Sequence, residues 1–150
     1  MHSLHIIYAS TSGHTEYVID HLIGALSGVE VEKQRVELAR PEDLLKGDML
    51  ILACGTWNTG SIEGQLNPHM YDFLLGRAAG VDLKGKEVAV IGLGDERYHF
   101  TCKAADHLEE FVKSHYGQLH NPTLRIINEP YGQEDKVKTW ANKLLQHAHA

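Results

Sequence analysis

Leu4-His5-Ile6-Ile7-Tyr8-Ala9-Ser10-Thr11-Ser12-Gly13-His14-Thr15 is followed by Val18, Ile19, Leu22, Ile23 and Leu26 at helical spacing. The stretch reads as a strand from Leu4 to Tyr8, a hydroxyl-rich loop and a helix. Ser10, Thr11, Ser12 and Thr15, with Gly13, stand where that helix begins. Hydroxyls, backbone N–H groups and the positive end of a helix dipole therefore surround one small space. That is a cradle for an anion, and a phosphate suits it best. The loop holds no Lys or Arg and lacks the GxxxxGK[ST] spacing of a nucleotide triphosphatase, so one phosphate monoester fits better than a triphosphate with magnesium. G-x-G-x-x-G is also missing, which argues against a pyrophosphate bridge. On this stretch alone a simpler role stays open, in which Thr11 or Ser12 caps the helix.

Outward from this unit, apolar runs alternate with helical patterns, and no repeat, low-complexity tract or Pro/Gly/Ser linker separates them. The first helix stops near Ser27-Gly28. Val29, Val31 and Val36 mark a second strand, partly alternating and so at an edge. Pro41-Glu42-Asp43 opens a short helix that Gly47 ends. Met49 to Ala53 is continuously apolar, as a central strand covered on both faces must be. Its exit, Cys54 to Gln65, reads as a long loop. The next helix starts at Asn67-Pro68, buries Met70, Phe73 and Leu74, and ends before Gly80. Val88 to Ile91 is a second fully apolar strand. It leads through Gly92-Leu93-Gly94-Asp95-Glu96-Arg97-Tyr98 to a helix with Ala104, Ala105, Leu108, Phe111 and Val112 inward, closed by Gly117. Leu119 to Ile127 is a weaker strand, broken at Asn121-Pro122 and so placed at an edge. Val137, Trp140, Ala141, Leu144 and Leu145 define a closing helix with Trp140 in the core.

Strict alternation of five strands and five helices implies one α/β domain over residues 1–150. It is a doubly wound five-stranded parallel sheet with helices on both faces, in the order 2-1-3-4-5. That order brings the loops after strands 1, 3 and 4 to one rim, where ligands bind in such sheets. The length suffices for a core without metal or disulfide staples. Fourteen Lys and Arg against 20 Asp and Glu give a net charge of −6. This speaks against nucleic acid and anionic membranes and favours a basic protein partner. The N-terminal apolar run is too short for a signal peptide or membrane span, which points to a soluble cytoplasmic protein. Cys54 and Cys102 form no C-x-x-C pair and read as free thiols. His147 and His149 at the tail have no Cys or carboxylate in ligand spacing, so no metal site is expected.

Two of the three rim loops carry a large aromatic in a polar, glycine-bearing turn: Trp57 in Thr56-Trp57-Asn58-Thr59-Gly60 and Tyr98 in the loop after Gly92. Neither lies in an apolar stripe, so both read as faces offered to a flat ligand. A flat ring between two aromatics, joined by a short tail to one phosphate, describes flavin mononucleotide, FMN.

At these residues the sequence resembles the flavodoxins. Ile6 to Thr15 is similar to their phosphate signature, and Thr56-Trp57 and Gly94-Asp95-Glu96-Arg97-Tyr98 with Cys102 are similar to their two flavin loops. The resemblance runs the full length, without the last-strand insertion of long-chain members. Flavodoxin is itself the standard example of this strand order and site, so topology and resemblance are not independent. The resemblance implies that Ser10, Thr11, Ser12, Gly13, His14 and Thr15 hold the phosphate, and that Trp57 and Tyr98 flank the ring. It also implies cofactor contacts from Thr56, Asn58, Thr59, Gly60, Gly92, Leu93, Gly94, Asp95, Phe100 and Cys102. Backbone groups of Asp95, Cys102 and the Thr56 to Asn58 turn would bond the pyrimidine edge and N5. His14 stands where Asn is commoner. Asn58 stands where many members have Gly, and Ile19 where the signature usually has Ala.

The implied function is a low-potential one-electron carrier, not an enzyme, using the semiquinone/hydroquinone couple of FMN between a reductase and acceptor redox enzymes. Asp95, Glu96, Asp72 and Glu63 would disfavour the anionic hydroquinone. The acidic rim would steer transient docking of partners on a monomer. A receiver domain shares the topology but needs acids after strand 1 and an Asp after strand 3, where Ala9-Ser10 and Cys54-Gly55 stand. A cysteine phosphatase would need Arg at Gly60. The rival that survives is a flavin-dependent reductase of a quinone or similar small molecule on the same fold.

Overall fold

The computed structural model describes the backbone of residues 1–148 and the side chains of residues 1–146, so the His147/His149 pair lies outside the described residues. The elements are β1 (Ser3–Tyr8), α1 (His14–Gly24), β2 (Glu30–Arg35), β3 (Met49–Thr59), β4 (Ile62–Leu66), α2 (Pro68–Asp72), β5 (Glu87–Gly94), α3 (Lys103–Ser114), β6 (Gln118–Leu119), β7 (Leu124–Ile127) and α4 (Glu134–Ala148). Along the parallel sheet the order is β2-β1-β3-β5, with β6 and β7 in turn occupying the edge beside β5. This is the expected 2-1-3-4-5 order, its last strand interrupted between Leu119 and Leu124 at the Asn121-Pro122 break.

Period-two alternation splits the central strands between two cores. Ile7, Leu50, Leu52, Val88 and Val90 face Met70, Phe73, Leu74, Leu108 and Val112 on one side. Leu4, Ile6, Ile51, Ala89 and Ile91 face Val18, Ile19, Leu22, Trp140 and Leu144 on the other. Trp140 is buried as expected, and its Nε1–H donates to Pro122 O at 2.7 Å. Both sides of the sheet are thus covered, which is why its central strands are apolar throughout.

Three local expectations need correction. Cys54 to Gln65 is not an open loop: β3 runs on to Thr59 and β4 returns antiparallel to it, pairing Thr56 with Leu66, Trp57 with Gln65 and Thr59 with Ile62. Gly60 and Ser61, both at φ 63°, form the two-residue turn of this hairpin, the positive-φ pair that strand twist favours. Val36 belongs not to β2 but to the 3-10 turn that follows it, Val36–Leu38. The helix from Pro68 widens at Phe73–Arg77 into a π turn, closed by Ala78 N–H to Phe73 O at 2.8 Å. There Arg77 stacks over the Phe73 ring and donates to Val36 O.

Candidate functional site

The loop after β1, the β3–β4 hairpin and the end of β5 with the turn that follows it meet around a cleft of about 660 Å³, within the range of small-molecule sites. Thr11, Ser12, His14 and Thr15 line one end; Thr56, Trp57, Asn58, Glu63, Leu93, Gly94, Asp95, Tyr98 and Phe100 line the rest. Of the residues singled out in the sequence, Ser10, Gly13, Thr59, Gly60, Gly92 and Cys102 lie outside the lining. Of the four acids expected to act on the ring, Asp72 and Glu96 lie outside the lining as well, whereas Glu129, not expected, lies in it.

The residues behind the lining do structural work. Gly13, at φ 91°, begins α1 without a side-chain cap. Ser10 Oγ accepts from Glu16 N–H at 3.2 Å, so one helix-end donor is satisfied from inside the loop. Among the described hydrogen bonds Thr11 and Ser12 cap nothing, and none takes the backbone N–H of His14 or Thr15, two of the donors that a helix start leaves without an intrahelical partner. Arg35 reaches from β2 to donate to Ser10 O, and its guanidinium also pairs with Glu16, whose carboxylate accepts from Tyr8 Oη–H at 2.7 Å. The hydrogen bond from Tyr8, with Lys33 beside it, holds the Glu16 carboxyl below the usual carboxylate range. The loop is therefore braced from below by charge-assisted bonds while its upper face stays open.

Asn67 carries no obvious signal in the sequence beyond its place as a helix cap, yet it lines the cleft. Its Oδ1 accepts from His69 N–H at 2.9 Å, its own N–H donates to Gly55 O at 3.1 Å, and its Nδ2 donates to Thr11 Oγ1 at 3.0 Å. Arg97, Thr101, Gly64 and Asn128 line the cleft as well and were not singled out as ligand-facing.

At the other end, position is set by close packing. Thr56 Oγ1 donates to Leu93 O at 2.9 Å and accepts from Ala104 N–H at 3.1 Å, which fastens β3, β5 and the start of α3 together. Thr59 Oγ1 turns inward to Leu66 O. Opposite Asn58 the β4 strand has two residues, Glu63 and Gly64, and Gly64 sits at φ 74° in this bulge. A Cβ on Gly64 would come within 2.5 Å of Phe100 Cβ; one on Gly92 would meet Ala105 Cβ at 2.5 Å, and one on Gly94 would overlap Thr101 O at 1.6 Å. These glycines let α3 and the Asp95–Thr101 turn lie against the sheet. Trp57, Tyr98 and Phe100 stay 38%, 60% and 40% exposed. Large aromatics left this open around one cleft mark a binding surface.

The charge of the cleft is mixed. Glu63, Asp95 and Glu129 line it together with Arg97. Arg97 Nε donates to both carboxylate oxygens of Asp95, at 2.9 and 3.0 Å, and its backbone N–H adds a third bond, so the Asp95 carboxyl is held down at about 2. The Asp95 backbone N–H is taken by Thr101 O at 3.0 Å. Burial pushes the Cys54 thiol up to about 12, and it raises the Cys102 thiol, whose Sγ–H donates to Gly92 O at 3.3 Å. Both thiols stay protonated at neutral pH, and neither is poised as a nucleophile.

Comparison with known proteins agrees with this architecture. The Flavodoxin family model matches residues 6–140. A flavodoxin of Maridesulfovibrio salexigens is 32% identical over 141 residues, covering 91% of this chain and 92% of that protein. Protein MioC of Escherichia coli is 28% identical over 141 residues, 93% of this chain and 94% of its own. The crystal structure of oxidised flavodoxin 2 from Bacillus cereus superposes with a TM-score of 0.86 at 32% identity, covering 97% of this chain and 99% of that one. With the sheet order, the three converging loops and this likeness in agreement over nearly the whole length, the chain belongs to the flavodoxin family, among its short-chain members.

Proposed function

We propose that this chain is a single cytoplasmic FMN-binding domain that carries electrons one at a time, at low potential, between a reductase and acceptor redox enzymes. The observation that carries the reading is the pairing of two features in one cleft. Uncapped N–H donors of His14 and Thr15 lie among the hydroxyls of Thr11, Ser12 and Thr15, and the half-exposed rings of Trp57 and Tyr98 share the same cleft. An anion and a flat ring joined by a short linker match that donor set.

In this reading the loop from Ser10 to Thr15 holds the phosphate, its N–H groups and hydroxyls supplying the neutralisation that Lys or Arg gives elsewhere. Trp57 and Tyr98 cover the ring and exclude water from its faces, with Phe100 beside them. FMN, when bound, supplies one-electron redox chemistry. Glu63 and Glu129 set a negative field that opposes added charge on the ring, while Arg97 offsets the contribution of Asp95. The acidic residues around the cleft favour brief, salt-sensitive docking of basic partners by the monomer. Reductive titration followed by absorption tests this: the flavin bands should vanish in two resolved one-electron steps. Steady turnover of NAD(P)H with a quinone, without any added reductase, would contradict it in favour of a flavin-dependent reductase.

A further inference from the structure

Asn67 is 1% exposed, yet its side chain belongs to the wall of the cleft. Its Oδ1 is committed to the N–H of His69, the first-turn donor of α2. That bond decides which way the amide points, because only an oxygen can accept there. The group left facing Thr11 is therefore the NH₂, which can donate but never accept. Thr11 Oγ1 receives that bond at 3.0 Å, so one of its two lone pairs is used, its proton cannot point at Asn67, and that proton is left for the cleft. Among the described hydrogen bonds none takes the Thr11 proton, and Thr11 is exposed at the phosphate end of the cleft.

We infer that Asn67 is a positioning residue that sets the polarity of the anion cradle: it forces the Thr11 hydroxyl to act as a donor toward the bound phosphate. The inference rests on the FMN reading above. A phosphate offers only acceptors when ionised, so a hydroxyl locked as a donor favours it over a ligand that brings donors of its own. The same amide bonds the phosphate loop to α2, and the Asn67 N–H bonds to Gly55 O within β3. One buried side chain therefore fixes both the place and the direction of a hydroxyl supplied by another element.

Asn67→Asp reverses this polarity, and Thr11→Val, which brings no new charge near the phosphate, separates the effect from simple repulsion and decides the test. A carboxylate of the same shape still accepts from His69, so the cap of α2 survives. It can only accept from Thr11, which turns that proton away from the ligand. FMN and riboflavin, which differ by the phosphate, are titrated into the apoprotein by fluorescence quenching. Thermal unfolding of the apoprotein is followed in parallel. Loss of one charge-assisted bond is expected to weaken FMN binding by roughly tenfold or more while riboflavin affinity stays within about twofold. Thr11→Val serves as the second variant: it removes the same donor without touching α2 and should lower FMN affinity selectively in the same way, whereas Thr11→Ser should preserve it. If the wild-type protein does not prefer FMN to riboflavin, the FMN reading itself is wrong. If it does, but Asn67→Asp and Thr11→Val leave the preference unchanged or weaken both ligands equally, the polarity role is overturned and Asn67 is only a helix cap.

Discussion

At one end of the cleft the loop from Ser10 to Thr15 hangs between β1 and α1, and its anchors are polar: Arg35 on Ser10 O, Ser10 on Glu16 N–H, Asn67 on Thr11. At the other end Trp57, Tyr98 and Phe100 ride on a bulged hairpin and on the Asp95–Thr101 turn. These are seated by backbone contacts that only glycine permits at positions 64, 92 and 94. The two ends therefore answer differently to substitution. A polar brace can be weakened in steps, because each hydrogen bond contributes about 1 kcal/mol. A seat made by close approach has no intermediate state, since an added methyl group must move backbone.

The sharpest break between the ends comes from two alanine substitutions. Gly94→Ala places a Cβ 1.6 Å from Thr101 O and should cost about 3 kcal/mol, whereas Gly13→Ala meets nothing within 4 Å and should cost only about 1 kcal/mol for its left-handed backbone. Thermal melts of the two apoproteins measure the difference. Equal losses would mean that the Asp95–Thr101 turn yields freely and that the contrast between the ends is unfounded.

Tyr98→Ala probes the ring end without disturbing the backbone. Losing one exposed ring face should weaken FMN binding by about 1 kcal/mol and raise the lower of the two one-electron potentials, because water then reaches the ring and solvates added charge. Potentiometric titration reads both potentials, and an unchanged lower one would show that Tyr98 does not cover the ring.

Legibility in the sequence follows the same division. The sheet order, both apolar central strands, the hydroxyl-rich loop at the start of α1 and the buried Trp140 are legible because each depends on local periodicity or on residues close together in the chain. The hairpin is not legible in the sequence because Cys54 to Gln65 mixes polar and apolar residues without clean alternation. Its Gly60-Ser61 pair, a recognised two-residue turn signal, was the one clue available. The π turn at Phe73–Arg77 leaves no periodic trace. Gly92 is expected as a ligand contact, and the structure sets it against Ala105, thirteen positions later, a spacing no local pattern encodes. Asn67 was visible as a cap and invisible as a partner of Thr11 for the same reason.

Asn58→Gly has the smallest expected effect. If FMN binds as proposed, the family resemblance implies that this peptide would turn its carbonyl toward the ring on reduction. Asn58 is not at positive φ, and it stands unpaired opposite Glu63 and Gly64, so it is free of the β3–β4 ladder. Glycine would ease the turn by something below about 1 kcal/mol and widen the gap between the two one-electron potentials. A gap that stays equal or narrows would mean that the peptide does not turn, or that the Asn58 side chain contributes a bond of its own.

One ligand is proposed to bridge both ends of the cleft, and the direct test is to identify what the protein holds. Mass spectrometry of the cofactor released from purified or reconstituted protein, with its amount set against protein concentration, should give FMN at one per chain. Recovery of FAD as the natural ligand, or of no flavin after reconstitution, would contradict it.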